Sequence, residues 1–181
     1  MTGLHWAWLA GAAVLGFWML GAYNRLTALR GAILTAWSVL DAALLARQHA
    51  IGALLDATEP SLAGERSATT AMVAAQVQLA TAAEVVRRRP TTEEPLQVLA
   101  KAEVAITSAL TRLLALVEHQ SELKRLPEVA APLQLLAELG PRERLARQVF
   151  NDTALAYNQA IDQFPTRLLV RVFGLQRVGS L

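Results

Sequence analysis

The sequence predicts an all-α protein, an N-terminal transmembrane helix continuing into a long antiparallel four-helix bundle. Three observations predict it. Trp6 to Tyr23 contains no charged residue. Beyond it, apolar residues recur at gaps of three and four, the spacing of one face of a helix. The chain is 54% apolar but only 6% aromatic, because alanine and leucine dominate, and that balance favours helices over sheets. About 155 residues remain beyond the anchor, enough for one domain with a core.

The anchor is assigned to residues 4–23. About 20 residues at ~1.5 Å each just span a hydrocarbon layer of ~30 Å. Trp6 and Trp8 at one end and Tyr23 at the other suit the two interfaces. A cleaved signal peptide is the rival reading. It lacks a basic start, since no Lys or Arg precedes Arg25, and a cut after Ala22 would leave Leu20 where a small residue is preferred. Arg25 and Arg30 follow the span and none precedes it, so the N-terminus is expected outside and the bundle in the cytoplasm.

Residues 24–165 form the expected bundle. Leu26, Leu29, Ile33, Trp37, Leu40, Leu44, Ile51 and Leu55 make one stripe, with gaps of three and four and a single gap of seven. No proline interrupts it before Pro60, so one helix should run from the membrane to about residue 57. After a break at 58–66, capped by Thr58 or Ser61, a second helix is expected over 62–89 with Met72, Val73, Val77, Ala80 and Val86 inward. It ends on Arg87, Arg88 and Arg89, which suit a helix C-terminus. A third, over 92–125, places Leu99, Ala102, Ile106, Leu110, Leu113 and Val117 inward. A fourth begins near 132, with a kink or short break expected at Gly140–Pro141. Ala146, Phe150, Thr153, Tyr157, Ala160 and Phe164 follow at heptad spacing, and Pro165 ends it. Short breaks between four elements give an up-down-up-down bundle. The tail, 166–181, mixes Arg167, Arg171 and Arg177 with apolar residues. It suits either an anionic membrane surface or the open end of the bundle.

Chemistry is hard to find in this chain. A net charge of +2 and the lack of a basic stripe argue against nucleic acid. The absence of cysteine excludes disulfides, thiolate metal sites and a cysteine nucleophile. His5, His49 and His119 are isolated, and no Glu-x-x-His, His-Glu-x-x-His, P-loop or Gly-x-Ser-x-Gly pattern occurs. No cofactor, metal or small-molecule substrate is therefore expected. Trp37, Phe150 and Tyr157 read as core. Asp41, counted up from the membrane, comes level with residues near 147, so it is expected to pair with Arg147, or with Arg144, and to fix register between the first and last helices. Asn24 and Asn158 are expected to satisfy polar groups near the membrane-proximal end.

Two blocks resemble the LemA family. The first is YNRLTALRGAILTAWSVLDAAL (23–44), which carries Tyr23, Asn24, Trp37 and Asp41. The second is ARQVFNDTALAYNQAIDQFPTRLLVRVFG (146–174), which carries Arg147, Asn151, Asp152, Tyr157, Asn158, Phe164 and Pro165. ELKRLPEVAAPLQLLAEL (122–139) is similar to the stretch that precedes the family's last helix. After Asp41 the chain departs: it reads LLARQHAIGALL where the family usually has a basic cluster and then Asp-Leu-Ile-Pro-Asn-Leu. The resemblance implies an α-helical domain behind one N-terminal membrane span and implies no reaction. The function expected is a non-enzymatic, membrane-anchored scaffold or membrane-organising protein. Its partners would be the lipid bilayer and either a second copy or another membrane protein. The alternative is an accessory to a membrane-associated enzyme such as an envelope protease.

Overall fold

The computed structural model describes residues 2–163, 166 and 176–181. Among these the fold is helical, without a strand: α1 (Thr2–Thr58), α2 (Arg66–Arg88), α3 (Glu93–His119), α4 (Ser121–Arg125) and α5 (Pro127–Asp162). Phe164, Pro165 and most of the tail lie outside the described residues.

The anchor and the first bundle helix are one continuous α1. Its two halves live in different surroundings. From His5 to Gly21 every described side chain is exposed, including Trp6, Trp8, Phe17 and Leu20. From Leu26 onward the stripe turns inward, and Leu26, Ile33, Trp37, Leu40, Leu44 and Ile51 are buried. The helix stops where Thr58, itself buried, donates its hydroxyl to the Leu54 carbonyl at 2.8 Å, while its own carbonyl accepts from the amides of Ser61 and Leu62. Thr58 therefore closes α1. Neither it nor Ser61 caps α2, which begins after Glu65 without a side-chain cap.

α1 pairs with α5, antiparallel. Trp37 meets Phe150 edge to face, with ring centroids 6.1 Å apart, and Arg47 faces Glu143. The heptad seam of α5 is inward at Ala146, Phe150, Tyr157 and Ala160, but Thr153 is only half-buried and Ala154 takes the core position. α2 and α3 form a second antiparallel hairpin laid against this pair. On α2 the inward stripe is Ala68, Met72, Ala75, Leu79, Ala82, Ala83 and Val86. Val73, Val77 and Ala80, expected inside, face out. The inward face is mostly alanine, which leaves room for close approach of a neighbouring helix, while Val73 and Val77 are left on the outer face. α3 buries Leu99, Ala102, Ile106, Leu113 and Val117, with Leu110 partly covered.

Two boundaries differ from the sequence expectation. α3 stops at His119, and a short α4 carries the chain to Leu126. α5 then begins at Pro127, five residues before the expected start near 132, because a proline at the first helical position lacks only an amide that would be orphaned anyway. α5 also continues unbroken through Gly140–Pro141. Pro141 forfeits the bond to the Ala137 carbonyl, but tertiary packing on both sides holds the helix together.

The hairpin of α2 and α3 is shorter than α1. The last turn of α2 is level with Asp41, through the Arg87–Asp41 ion pair. It thus stops about 24 Å short of Arg25, at 1.5 Å per residue, and does not return to the foot of the bundle as the up-down-up-down count suggested. Between those levels α1 is paired with α5, as at Trp37 and Phe150.

Candidate functional site

The apolar stripes of three helices are each interrupted once by a charge at one level. On α1, the gap of seven between Leu44 and Ile51 is filled by Arg47. On α3, Glu103 follows Leu99 by four residues. On α5, Glu143 precedes Ala146 by three, and Arg147 is one turn beyond Glu143. These four side chains converge. Arg47 donates to Glu103 at 2.6 Å and to Glu143 at 2.9 Å. Arg147 donates to the other Glu103 oxygen at 2.6 Å and to Glu143 at 2.8 Å. Both carboxylates are deeply buried, at 7% and 8% side-chain exposure, and Arg47 is nearly so at 11%, so the pairing is what makes burial of these charges tolerable. Burial opposes the charge on Arg147, but the attraction of Glu103, its hydrogen bond and those of Glu143 outweigh it and raise that guanidinium above its ordinary value.

This cluster forms one wall of a cleft of about 900 Å³ between α3 and α5, whose apolar side is Leu110, Leu114, Leu133 and Leu136. All four carboxylate oxygens of Glu103 and Glu143 face an arginine, so their lone pairs are engaged and neither is placed as a free base. The Arg47 Nε is buried without a hydrogen-bond partner among the described residues. No group of three or more metal-binding side chains is found among the described residues. The arrangement ties α1, α3 and α5 together at one height.

The expected pairing of Asp41 with Arg147 or Arg144 is replaced. Asp41 Oδ2 accepts from Arg87 Nε of α2 at 2.8 Å, and its Oδ1 is buried without a hydrogen-bond partner among the described residues. Arg147 belongs to the glutamates. The vertical count was sound, since Trp37 meets Phe150 and Arg47 meets Glu143, but Asp41 lies on the face of α1 that looks at α2. The hydrogen bond of Asp41, reinforced by Glu84, raises the Arg87 guanidinium against the opposing effect of burial.

The remaining motif residues separate by role. Trp37, Phe150 and Tyr157 are core. Burial pushes the Tyr157 phenol up, partly offset by Arg30. Tyr23 and Asp152 are exposed, as is Asn24. Asn151 and Asn158 hold the C-terminal segment: Asn158 binds the backbone of Val178 and Asn151 that of Leu181. Arg177 pairs with Asp162 beside them. Sequence reasoning missed Arg47, Glu103 and Glu143. The signal that marks them is a charge standing at a core position of an otherwise apolar stripe.

No curated protein matches the chain. The sequence model of the LemA family matches residues 36–180, which takes in the convergent charges, both asparagines and nearly all of the bundle, and the chain belongs to the LemA family.

Proposed function

We propose that this protein is a membrane-anchored, non-enzymatic scaffold that carries a helical bundle rigidly on a single span at the inner membrane, with the bundle on the cytoplasmic side. The observation that carries the reading is the continuity of α1. One unbroken helix is exposed and apolar in its first half and buried in the bundle in its second. The helix is long and apolar enough to cross a membrane, and no hinge separates that stretch from the core. A bundle mounted this way keeps a fixed height and tilt relative to the bilayer, which suits organising other components more than turnover. Arg25 and Arg30, just after the apolar stretch, support the cytoplasmic placement.

Alkaline extraction of membranes tests it. The full chain should stay with the bilayer and be released by detergent. A variant with Val14→Arg and Leu15→Arg should leave the membrane, since each central charge costs about 2.5–3.5 kcal/mol of insertion. A wild-type chain that is soluble without detergent would end this reading.

A second reading, an accessory to a membrane enzyme, is favoured by one feature. Val39 on α1 and Leu145 and Val149 on α5 are exposed and line a shared outer groove. In-membrane crosslinking separates the two: one discrete heterologous partner supports the accessory role, and self-crosslinks alone support the scaffold.

A further inference from the structure

Asn151 and Asn158 are seven residues apart on α5, two helical turns, or about 10.5 Å. Val178 and Leu181 are three apart in a segment that is neither helix nor strand; the three-residue repeat of a polyproline-II chain turns both backbones to one side at a separation of about 9 Å. The spacings are close, and each asparagine binds one residue twice. Asn158 Oδ1 accepts from the Val178 amide at 2.9 Å while its Nδ2 donates to the Val178 carbonyl at 2.8 Å. Asn151 does the same with Leu181, at 2.8 and 2.7 Å. This is the pattern by which a neighbouring antiparallel strand reads a hydrogen-bonded residue, supplied here by side chains of a helix.

We propose that this face of α5 is a binding site for an extended polypeptide segment of the pattern apolar–small–any–apolar, with residues 176–181 as its resident self-ligand. The four hydrogen bonds go to backbone, so they hold any extended chain regardless of sequence. Side-chain selection comes from three places. Val178 is buried at 4% exposure. A Cβ at residue 179 would come within 3.3 Å of the Glu93 side chain at the start of α3, so that position is small. Leu181 reaches the mouth of the cleft lined by Leu110, Leu114, Leu133 and Leu136, so apolar surface continues beyond the present occupant. Ser180 is exposed and free to vary. The site lies between α5 and α3, with the start of α3 against residue 179. The inference does not depend on the membrane reading above.

The test uses the full chain in detergent. Val178→Asp and Gly179→Val each weaken the self-ligand without altering the walls. A labelled peptide, Gln-Arg-Val-Gly-Ser-Leu, is titrated by fluorescence polarisation. Saturable binding to either variant is expected, at least tenfold weaker to wild type, where the tethered segment competes at millimolar effective concentration. Binding should also fall at least tenfold when Asn151→Ala and Asn158→Ala are added, or when the valine amide of the peptide is N-methylated. No saturable binding to either variant, with helical circular dichroism retained, overturns the site, and so does an N-methylated peptide that binds as well as its parent. Should both variants unfold, hydrogen exchange on wild type decides. Protection of the Val178 and Leu181 amides should be lost at millimolar peptide, and unchanged protection overturns the proposal.

Discussion

Arg47 of α1 and Glu103 of α3 are joined at 2.6 Å in the interior, at side-chain exposures of 11% and 7%. Two arginines and two glutamates share this volume, so the cluster is neutral only while it is complete. Glu103→Ala should lower the free energy of unfolding by about 3–5 kcal/mol, because it leaves buried guanidinium charge uncompensated. Replacing all four together (Arg47→Met, Glu103→Leu, Glu143→Leu, Arg147→Met) should cost little or stabilise by about 1–4 kcal/mol. Urea unfolding in detergent, compared by midpoint at unchanged slope, distinguishes the two. A single substitution that costs under about 1 kcal/mol would mean the charges are hydrated in solution.

Phe150 is fully buried and packs edge-on against Trp37. Phe150→Ala should cost about 3–5 kcal/mol, from lost transfer energy and the cavity it leaves. Leu155, five residues further on the exposed side at 56% exposure, should tolerate alanine within about 0.5 kcal/mol. Equal thermal shifts for the two would contradict the orientation of α5.

The Asp41–Arg87 pair joins α1 to α2 at the level where the hairpin ends. Arg87 is a third exposed, so the bond should contribute only about 0.2–1 kcal/mol. A double-mutant cycle of Asp41→Ala with Arg87→Ala should show coupling of that size. The same cycle with Arg147→Ala should be additive.

That pair marks how far the sequence could be read. The helical class, the continuity of α1 and the α1–α5 register were legible, because apolar spacing sets helix faces and counting residues sets height. The partner of Asp41 was not. Height along a helix follows from 1.5 Å per residue, but direction around it depends on which neighbour occupies each side. α2 carries so many alanines that its inward face cannot be told from its outward one by hydrophobicity, and that is where Val73, Val77 and Ala80 were misplaced. The Arg47 cluster was hidden for a different reason. Each member lies on a different helix far apart in sequence, and a lone charge in a stripe reads as an interruption until the others are seen beside it. The asparagine ladder needed the fold of the C-terminal residues, which local pattern does not encode.

Gly31 and Gly52 lie inside α1, and a Cβ added at either meets nothing within 4 Å. Alanine at these positions should therefore stabilise by about 0.4–1 kcal/mol each, chiefly by restricting the unfolded chain. Thermal unfolding of the single and double variants checks this. A destabilised Gly31→Ala protein would show that the glycine makes a close approach to a partner outside this chain.

Tyr157 gives the alkaline limit. Burial disfavours its phenolate, so its pKa is raised on folding, with Arg30 opposing only in part. Between the ordinary value near 10 and the higher folded value, the native state holds a proton that the unfolded state has released. Stability from this group is then fully present below about pH 10 and is lost as pH rises through the folded value. Unfolding free energies measured by urea from pH 8 to 11.5 should fall more steeply for wild type than for Tyr157→Phe, with the curves parallel below pH 9. Parallel curves throughout would mean that the phenol is solvated in the folded protein, and the α1–α5 interface at Arg30 would then have to be looser than its packing implies.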